Sequence, residues 1–260
     1  MNVPESSATR LEAARDRLGR VREWLYPYRG EAAVLHDPAI VRYLAGTSSG
    51  HGWPAALVIT REKVSAVLFG REEQAAAVDE QITLPGIRRD GPVAHTKELA
   101  AVVERILTMA KIRGPVAIEA SSAPVWLWRL LEGMNTRASV VDAGPELIRL
   151  RRSKSPEELA AIRLNVRLAE GAYRAAAQVI RPGATELDVY WAGIRAMEDL
   201  AGTAVPFGGD FAAGPGGGIR GGPPSKRVLQ DGDAYVIDLF PSLGGYHTHA
   251  VAGLEEADFR

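Results

Sequence analysis

One aspartate and two histidines near the end of the chain, Asp238, His247 and His249, have the types and spacing to hold a divalent cation. Asp238 interrupts an apolar run, Tyr235-Val236-Ile237-Asp238-Leu239-Phe240, that follows a Gly232-Asp233 turn, and Gly244-Gly245-Tyr246 leads on to the two imidazoles. A four-residue loop over 241–244 would pair Phe240 with Gly245, setting Asp238 opposite His247 and Val236 opposite His249. With a side-chain period of two, all three then share one face, with opposed Cβ atoms about 4.5 to 5.5 Å apart. A lone charge in an apolar strand is costly to bury and needs a cation, a hydrogen-bond network or an open cleft. A metal or catalytic role therefore stands beside that of a hydrogen-bonded structural aspartate.

Other chemistry-bearing patterns lack the context they require. Gly46-Thr47-Ser48-Ser49-Gly50 fits the serine-nucleophile expression G-x-S-x-G, but His51-Gly52-Trp53-Pro54 cannot continue as the helix such an elbow needs. Gly216, Gly218 and Gly221 fit G-x-G-x-x-G without a strand before them and with Pro223-Pro224 after. His36 and His95 are isolated from other ligand types and read as satisfied or solvated, as does His51 beside Trp53. The absence of cysteine excludes disulfides and thiol chemistry, so any metal must be held by His and carboxylate.

With 31 basic and 32 acidic residues, the net charge of -1 leaves no electrostatic footprint for nucleic acid or an anionic membrane. No apolar run approaches the roughly 18 residues that span a bilayer. The first residues also lack the apolar core of a signal peptide. The expectation is a cytoplasmic protein with neither nucleic acid nor membrane as partner.

The elements that must position the candidate residues fall into two groups. Leu11, Leu18, Val21 and Leu25 predict an amphipathic helix over 10–24; 32–35 reads as a strand, 38–44 as a short helix, and 55–60 with 64–69 as a hairpin. A second helix is expected over 97–112, a buried strand over 116–119, and a helix capped by Ser122 running through Leu131. This α/β domain ends near 139–142, and 149–155 is a charged connection. Ser155-Pro156-Glu157-Glu158 then opens a long helix with Leu159, Ile162, Val166, Ala169 and Ala176 along one face. Thr185-Glu186-Leu187-Asp188 caps another helix to about residue 200, and the glycine- and proline-rich 205–222 is expected as loop or irregular strand.

Gly232-Asp233, Asp238 and Gly245-Tyr246, with a ligand position eleven residues after Asp238, resemble the aminopeptidase P, prolidase and creatinase family of pita-bread metallohydrolases. Arg152-Ser153-Lys154-Ser155-Pro156-Glu157-Glu158 resembles the entry to that family's catalytic domain, and Pro182-Gly183 with Thr185-Glu186 its first interhelix turn. Asp37-Pro38, Tyr43-Leu44 and Gly46 resemble the creatinase-type N-terminal domain. The resemblance implies an α/β chain, with a creatinase-like N-terminal domain over 1–150 and an incomplete pita-bread (α+β) catalytic domain over 151–260. It implies a metal-dependent Xaa-Pro peptidase acting on short proline-containing peptides, with two Mn, Co or Zn ions held by two Asp, one His and two Glu, and it allows a homodimer.

Asp238 matches the first of those ligands, while the second acid falls at position 249, where this chain has His249. A neutral imidazole offers one lone pair where a bridging carboxylate offers two oxygens, which disfavours a two-ion cluster and leaves Asp238, His247 and His249 as a mononuclear candidate. A family histidine falls at Gly221, with Arg220 beside it, marking these two as the substrate-binding position. The remaining His and two Glu lie beyond position 260 in family members, and the likeness fades after His247, as truncation or a shifted reading frame would produce. No catalytic residue is assigned. The expected outcome is little or no peptidase activity and compromised metal binding; the alternative is a non-catalytic remnant serving binding or dimerisation.

Overall fold

The computed structural model describes residues 7–26, 30–47, 55–70, 77–86, 95–134, 140–215 and 221–254. Two compact units divide the chain, Glu5–Ser155 and Pro156–Arg260.

In the first unit, short apolar runs form a mixed six-stranded sheet: β1 (Ala32–Leu35), β2 (Ala56–Thr60), β3 (Val64–Phe69), β4 (Glu80–Leu84), β5 (Val116–Ile118) and β6 (Val140–Asp142), in the order β4-β3-β2-β1-β5-β6. Its helices are α1 (Ser7–Leu25), α2 (Pro38–Ala45), α3 (His95–Met109), α4 (Val125–Gly133) and α5 (Gly144–Arg152). Strands β1, β2, β3 and β5 are buried along their whole length because helices cover both faces, so they read as continuous apolar runs rather than alternating ones. Leu18, Leu25, Leu44 and Leu147 pack on Ala33, Leu35, Leu57 and Ile59 on one side. Val103, Leu107 and Leu127 pack on Val34, Val58 and Ile118 on the other.

The start of α2 shows why this segment folds locally. Asp37 is its N-cap, its Oδ1 accepting from the amides of Ala39 at 2.7 Å and Ile40 at 3.2 Å, with Pro38 in the first turn. Gly46 ends the helix at φ 69°, a left-handed conformation that glycine adopts without penalty. Just before the cap, Glu119 Oε2 accepts from the amides of His36 at 2.8 Å and Asp37 at 3.2 Å, and lies 3.2 Å from His36 Nδ1. His36 Nε2 is 2.9 Å from the Ser122 carbonyl.

Three expectations for this unit are corrected. Ser122 does not cap the following helix: its amide bonds Glu119 O at 3.1 Å in a turn, and α4 starts only at Val125, after Pro124 and without a side-chain cap. Strand β4 was not expected, because Glu-Gln-Ile-Thr-Leu is a half-exposed edge with weak alternation, and it pairs in parallel with β3. The charged stretch from Arg149 proves to be the end of α5, whose Leu147 and Leu150 are buried while its arginines project outward. His51 and Trp53, and most of the Gly46–Gly50 match, lie outside the described residues.

In the second unit, α6 (Pro156–Ala177) and α7 (Glu186–Ala201) lie on one face of an antiparallel sheet, β7 (Phe207–Pro215), β8 (Asp233–Pro241) and β9 (Ala250–Leu254), in the order β7-β8-β9. The buried stripe of α6 is Asn165, Leu168, Ala169, Ala172 and Ala176, whereas Leu159 and Val166 are exposed, so the face expected from the sequence is rotated. Asn165 explains the rotation. It is fully buried, and its amide grips one turn: Oδ1 accepts from Leu243 N at 2.8 Å and Nδ2 donates to Leu243 O at 2.9 Å and Ala161 O at 3.0 Å. The two helices approach closely at Gly193, where a Cβ would lie 3.3 Å from Ala172 O.

Segment 205–222, expected as loop or irregular strand, contains β7, paired over its full length with β8. A buried acid holds it there. Thr185 and Asp188 form a capping box at the start of α7. Beside it, Glu186 accepts from Ala213 N at 2.8 Å, Ser225 N at 2.9 Å and Ser225 Oγ at 2.6 Å. Tyr235 Oη donates to Glu186 O at 2.9 Å, locking β8 to the same turn. Asp233, opening β8, takes Arg227 on both oxygens at 2.8 and 3.0 Å, and this guanidinium holds its carboxyl below the usual range.

Two outcomes test these contacts. Glu186→Ala strands three donors, and a loss of about 2 kcal/mol or more is expected in urea unfolding; an unchanged midpoint would show that water replaces the carboxylate freely. For His36, burial opposes the charged form, but the Glu119 carboxylate 3.2 Å from Nδ1, helped by the Ser122 carbonyl and Asp37, outweighs it and raises the pKa. The contribution is therefore fully present below the unfolded-state value near 6.5 and is lost as pH rises through the higher folded-state value. The stability gap between wild type and His36→Asn should shrink from pH 6 to pH 8.5 in urea titrations, and a gap that widens would contradict the assignment.

Candidate metal centre

Alternation along β8 decides what faces the open side of its sheet. Tyr235, Ile237 and Leu239 are buried under the helices, so Val236, Asp238 and Phe240 project from the other face. Asp238 is in register with Asp210 of β7 on one side and with Val251 of β9 on the other. Two carboxylates thus stand directly opposite each other, an arrangement that like charges disfavour. Behind this sheet, the Tyr173 hydroxyl of α6 bonds the carbonyls of Ile237 and Ala250, fixing β8 and β9 together. Burial, reinforced by the charge of Asp238, pushes that phenol up to about 12.

The expected hairpin register is corrected. Asp238 does not oppose His247, nor Val236 His249, because the connection spans 242–249 and contains a 3-10 turn at Leu243–Gly245 rather than a four-residue loop. Gly244 at φ 73° and Gly245 at φ 82° take left-handed conformations, Asn165 clamps Leu243, and Thr248 N bonds Pro241 O at 3.2 Å, so the return strand begins only at Ala250.

The two histidines consequently separate. His247 Nε2 lies 3.2 Å from Ser242 Oγ within the turn. His249 instead reaches Asp238, its Nε2 3.2 Å from Oδ1, while its ring packs on Phe240 at a centroid distance of 4.8 Å. Asp238 Oδ1 is buried and makes no aligned hydrogen bond, so the imidazole meets it by proximity rather than by a directed bond. His249 keeps 65 % of its side-chain exposure against 18 % for Asp238.

The other expected position, Gly221, lies against Asp210. A Cβ at Gly221 would fall 2.2 Å from Asp210 Oδ2 and 2.6 Å from its Cγ, so the Asp210 carboxylate fills the space a side chain at 221 would need. The neighbouring Gly222 O accepts from Phe211 N at 2.8 Å, which fixes this approach. Arg220 lies outside the described residues. Asp210 was missed by sequence reasoning, since it sits among glycines and alanines; its signal is alternation with the buried Phe211.

The donor set does not fit a two-ion site. Among the described residues no three His, Cys, Asp or Glu side chains converge as metal ligands, and His247 does not join Asp238 and His249. What the arrangement offers is a carboxylate pair bordered by one imidazole.

Two family models match: the Creatinase/Prolidase N-terminal domain over residues 17–153 and Metallopeptidase family M24 over residues 160–251. Among solved structures, the Xaa-Pro dipeptidase from Bacillus anthracis is similar with TM-score 0.73 and 16 % identity, covering 93 % of this chain and 64 % of that one. The prolidase from Pyrococcus horikoshii OT3 has TM-score 0.73 and 19 % identity, covering 92 % and 64 %. A His350Ala form of Escherichia coli aminopeptidase P has TM-score 0.72 and 17 % identity, covering 95 % and 62 %. The chain therefore spans about 64 % of the length of the first two. No curated protein sequence matches it.

The packing of Asp210 on Gly221 is open to a double-mutant test. Gly221→His should destabilise by about 1 to 3 kcal/mol through overpacking, and in an Asp210→Gly background that loss should shrink by about 1 kcal/mol. Strict additivity in urea unfolding would mean that the two positions do not compete for one space.

Proposed function

This chain belongs to the family that carries a creatinase/prolidase N-terminal domain, here followed by metallopeptidase M24 residues, and on that footing we propose a metal-dependent Xaa-Pro peptidase ancestry with impaired turnover in this chain. The substrates of that lineage would be short proline-containing peptides, and its ions Mn, Co or Zn. One observation carries the impairment: of the positions expected to supply metal ligands, Asp238 is an acid, but position 249 supplies an imidazole that faces Asp238 Oδ1 at 3.2 Å. Two ions need several carboxylates to offset their charge and bridge them. An imidazole with one lone pair cannot bridge.

A second reading, a non-catalytic module for binding or homodimerisation, draws support from the first unit. That unit has a sheet covered on both faces and two cores of its own, independent of any metal site. A cytoplasmic setting agrees with the lack of cysteine. Among the described residues, no helix is long and apolar enough to cross a membrane.

The discriminating measurement is hydrolysis of an Xaa-Pro dipeptide with added Mn. Turnover below about 0.01 per second is expected, against roughly 10 per second for a median enzyme. Turnover of about 1 per second or more would overturn the impairment and with it the non-catalytic reading.

A further inference from the structure

We propose that the groove between α3 and α4 seats a second copy of this chain about a twofold axis, with the two α4 helices antiparallel. The inference supplies a surface for the homodimerisation reading given above and rests on that reading. The groove has a volume of about 620 Å³. Ala100 and Glu104, one turn apart, belong to its α3 wall, and Trp126, Arg129 and Gly133 to its α4 wall. Val103, Leu107 and Leu127 of the same helices are spent on the sheet, so the groove is what α3 and α4 show on their other side.

Shape and charge both make this groove complementary to itself. Val125, at the start of α4, is 64 % exposed. Gly133, at the other end of the helix, leaves open floor, since a Cβ there would meet no atom within 4 Å. An antiparallel second copy sets Val125 of each over Gly133 of the other. Between these ends stands Arg129, and across the groove Glu104; neither forms an ion pair with any described residue. The charge of Arg105, beside Glu104 in sequence, acts on Glu80 of β4. A twofold axis matches every contact twice, so an acid on one wall and a base on the other pair as Glu104 with Arg129 of the second copy, and the reverse. The two Arg129 side chains approach the axis, where the two Glu104 carboxylates offset their repulsion. Trp126 adds the aromatic area typical of interface centres. Helices of 15 and 9 residues present a small face. Less than the roughly 800 Å² per partner of a standard interface is covered, and a dissociation constant of roughly 10 to 100 μM is expected.

The test uses the full 260-residue chain in sedimentation equilibrium, over concentrations that bracket the expected dissociation constant. Wild type should pass from monomer to dimer. Arg129→Glu and Glu104→Arg should each weaken association by about tenfold or more, because like charges then meet at both pairs. Mixing these two single variants in equal amounts should restore a dimer, since every acid again meets a base on the other copy. The double variant Glu104→Arg/Arg129→Glu should restore it within one chain. Both positions are exposed, and circular dichroism checks that each variant is folded; Val125→Ser, which leaves the charges untouched, should also weaken the dimer. A dimer that neither single swap weakens, or that mixing fails to restore, overturns this surface and leaves homodimerisation standing. A monomer at every concentration overturns both.

Discussion

The alternation of β8 is the constraint on which the second unit depends. Tyr235, Ile237 and Leu239 are nearly inaccessible beneath α6 and α7, and a strand that buries one set of side chains must show the other. A slip by one residue would drive Asp238 into the apolar core and turn Ile237 and Leu239 outward, so the register is strongly specified. Tyr235 adds a directional lock, its hydroxyl reaching the Glu186 carbonyl at the start of α7. The place of Asp238 on the open face is thus set by its apolar neighbours, and whatever chemistry it does is inherited from their packing.

Polar residues buried around that core convert approximate packing into one arrangement. Glu186 holds β7 and the Ser225 segment through three donors, and Asn165 holds the 3-10 turn through both ends of its amide. Each is satisfied, which is the condition under which a buried polar group specifies a fold without weakening it. Asn165 has a further effect, because fixing Leu243 delays the return strand to Ala250, and that delay separates His247 from Asp238 while leaving His249 beside it.

Local signals in the sequence were read well where one residue type suffices. Thr185 before Glu186, the short helix opened by Pro38, and the apolar runs of β1, β2 and β3 announce helices and strands by short-range chemistry. What escaped depends on partners distant in sequence. β4 is a strand because β3 offers it an edge, α5 because Leu147 and Leu150 find a core, and β7 because β8 pairs with a stretch that glycine would otherwise leave irregular. At the site, Asp238 was visible as an acid in an apolar run, and position 249 as its partner. Its neighbour Asp210 was not, since cross-strand pairing with β7 had to be known first.

Position 221 and position 249 make sense together once Asp210 is included. A glycine at 221 leaves room that the Asp210 carboxylate fills, which brings a negative group directly opposite Asp238 on the β7 side. An imidazole at 249 places a nitrogen on the other side of the same carboxylate. The face therefore still carries two acids, but they oppose each other across β7 and β8, and the β9 side supplies a nitrogen donor instead of a bridging oxygen pair. An acid at 249 would be the third on this face and would add to the repulsion between 210 and 238. Position 249 thus sets an imidazole, not a further carboxylate, beside the pair of aspartates that face each other across β7 and β8.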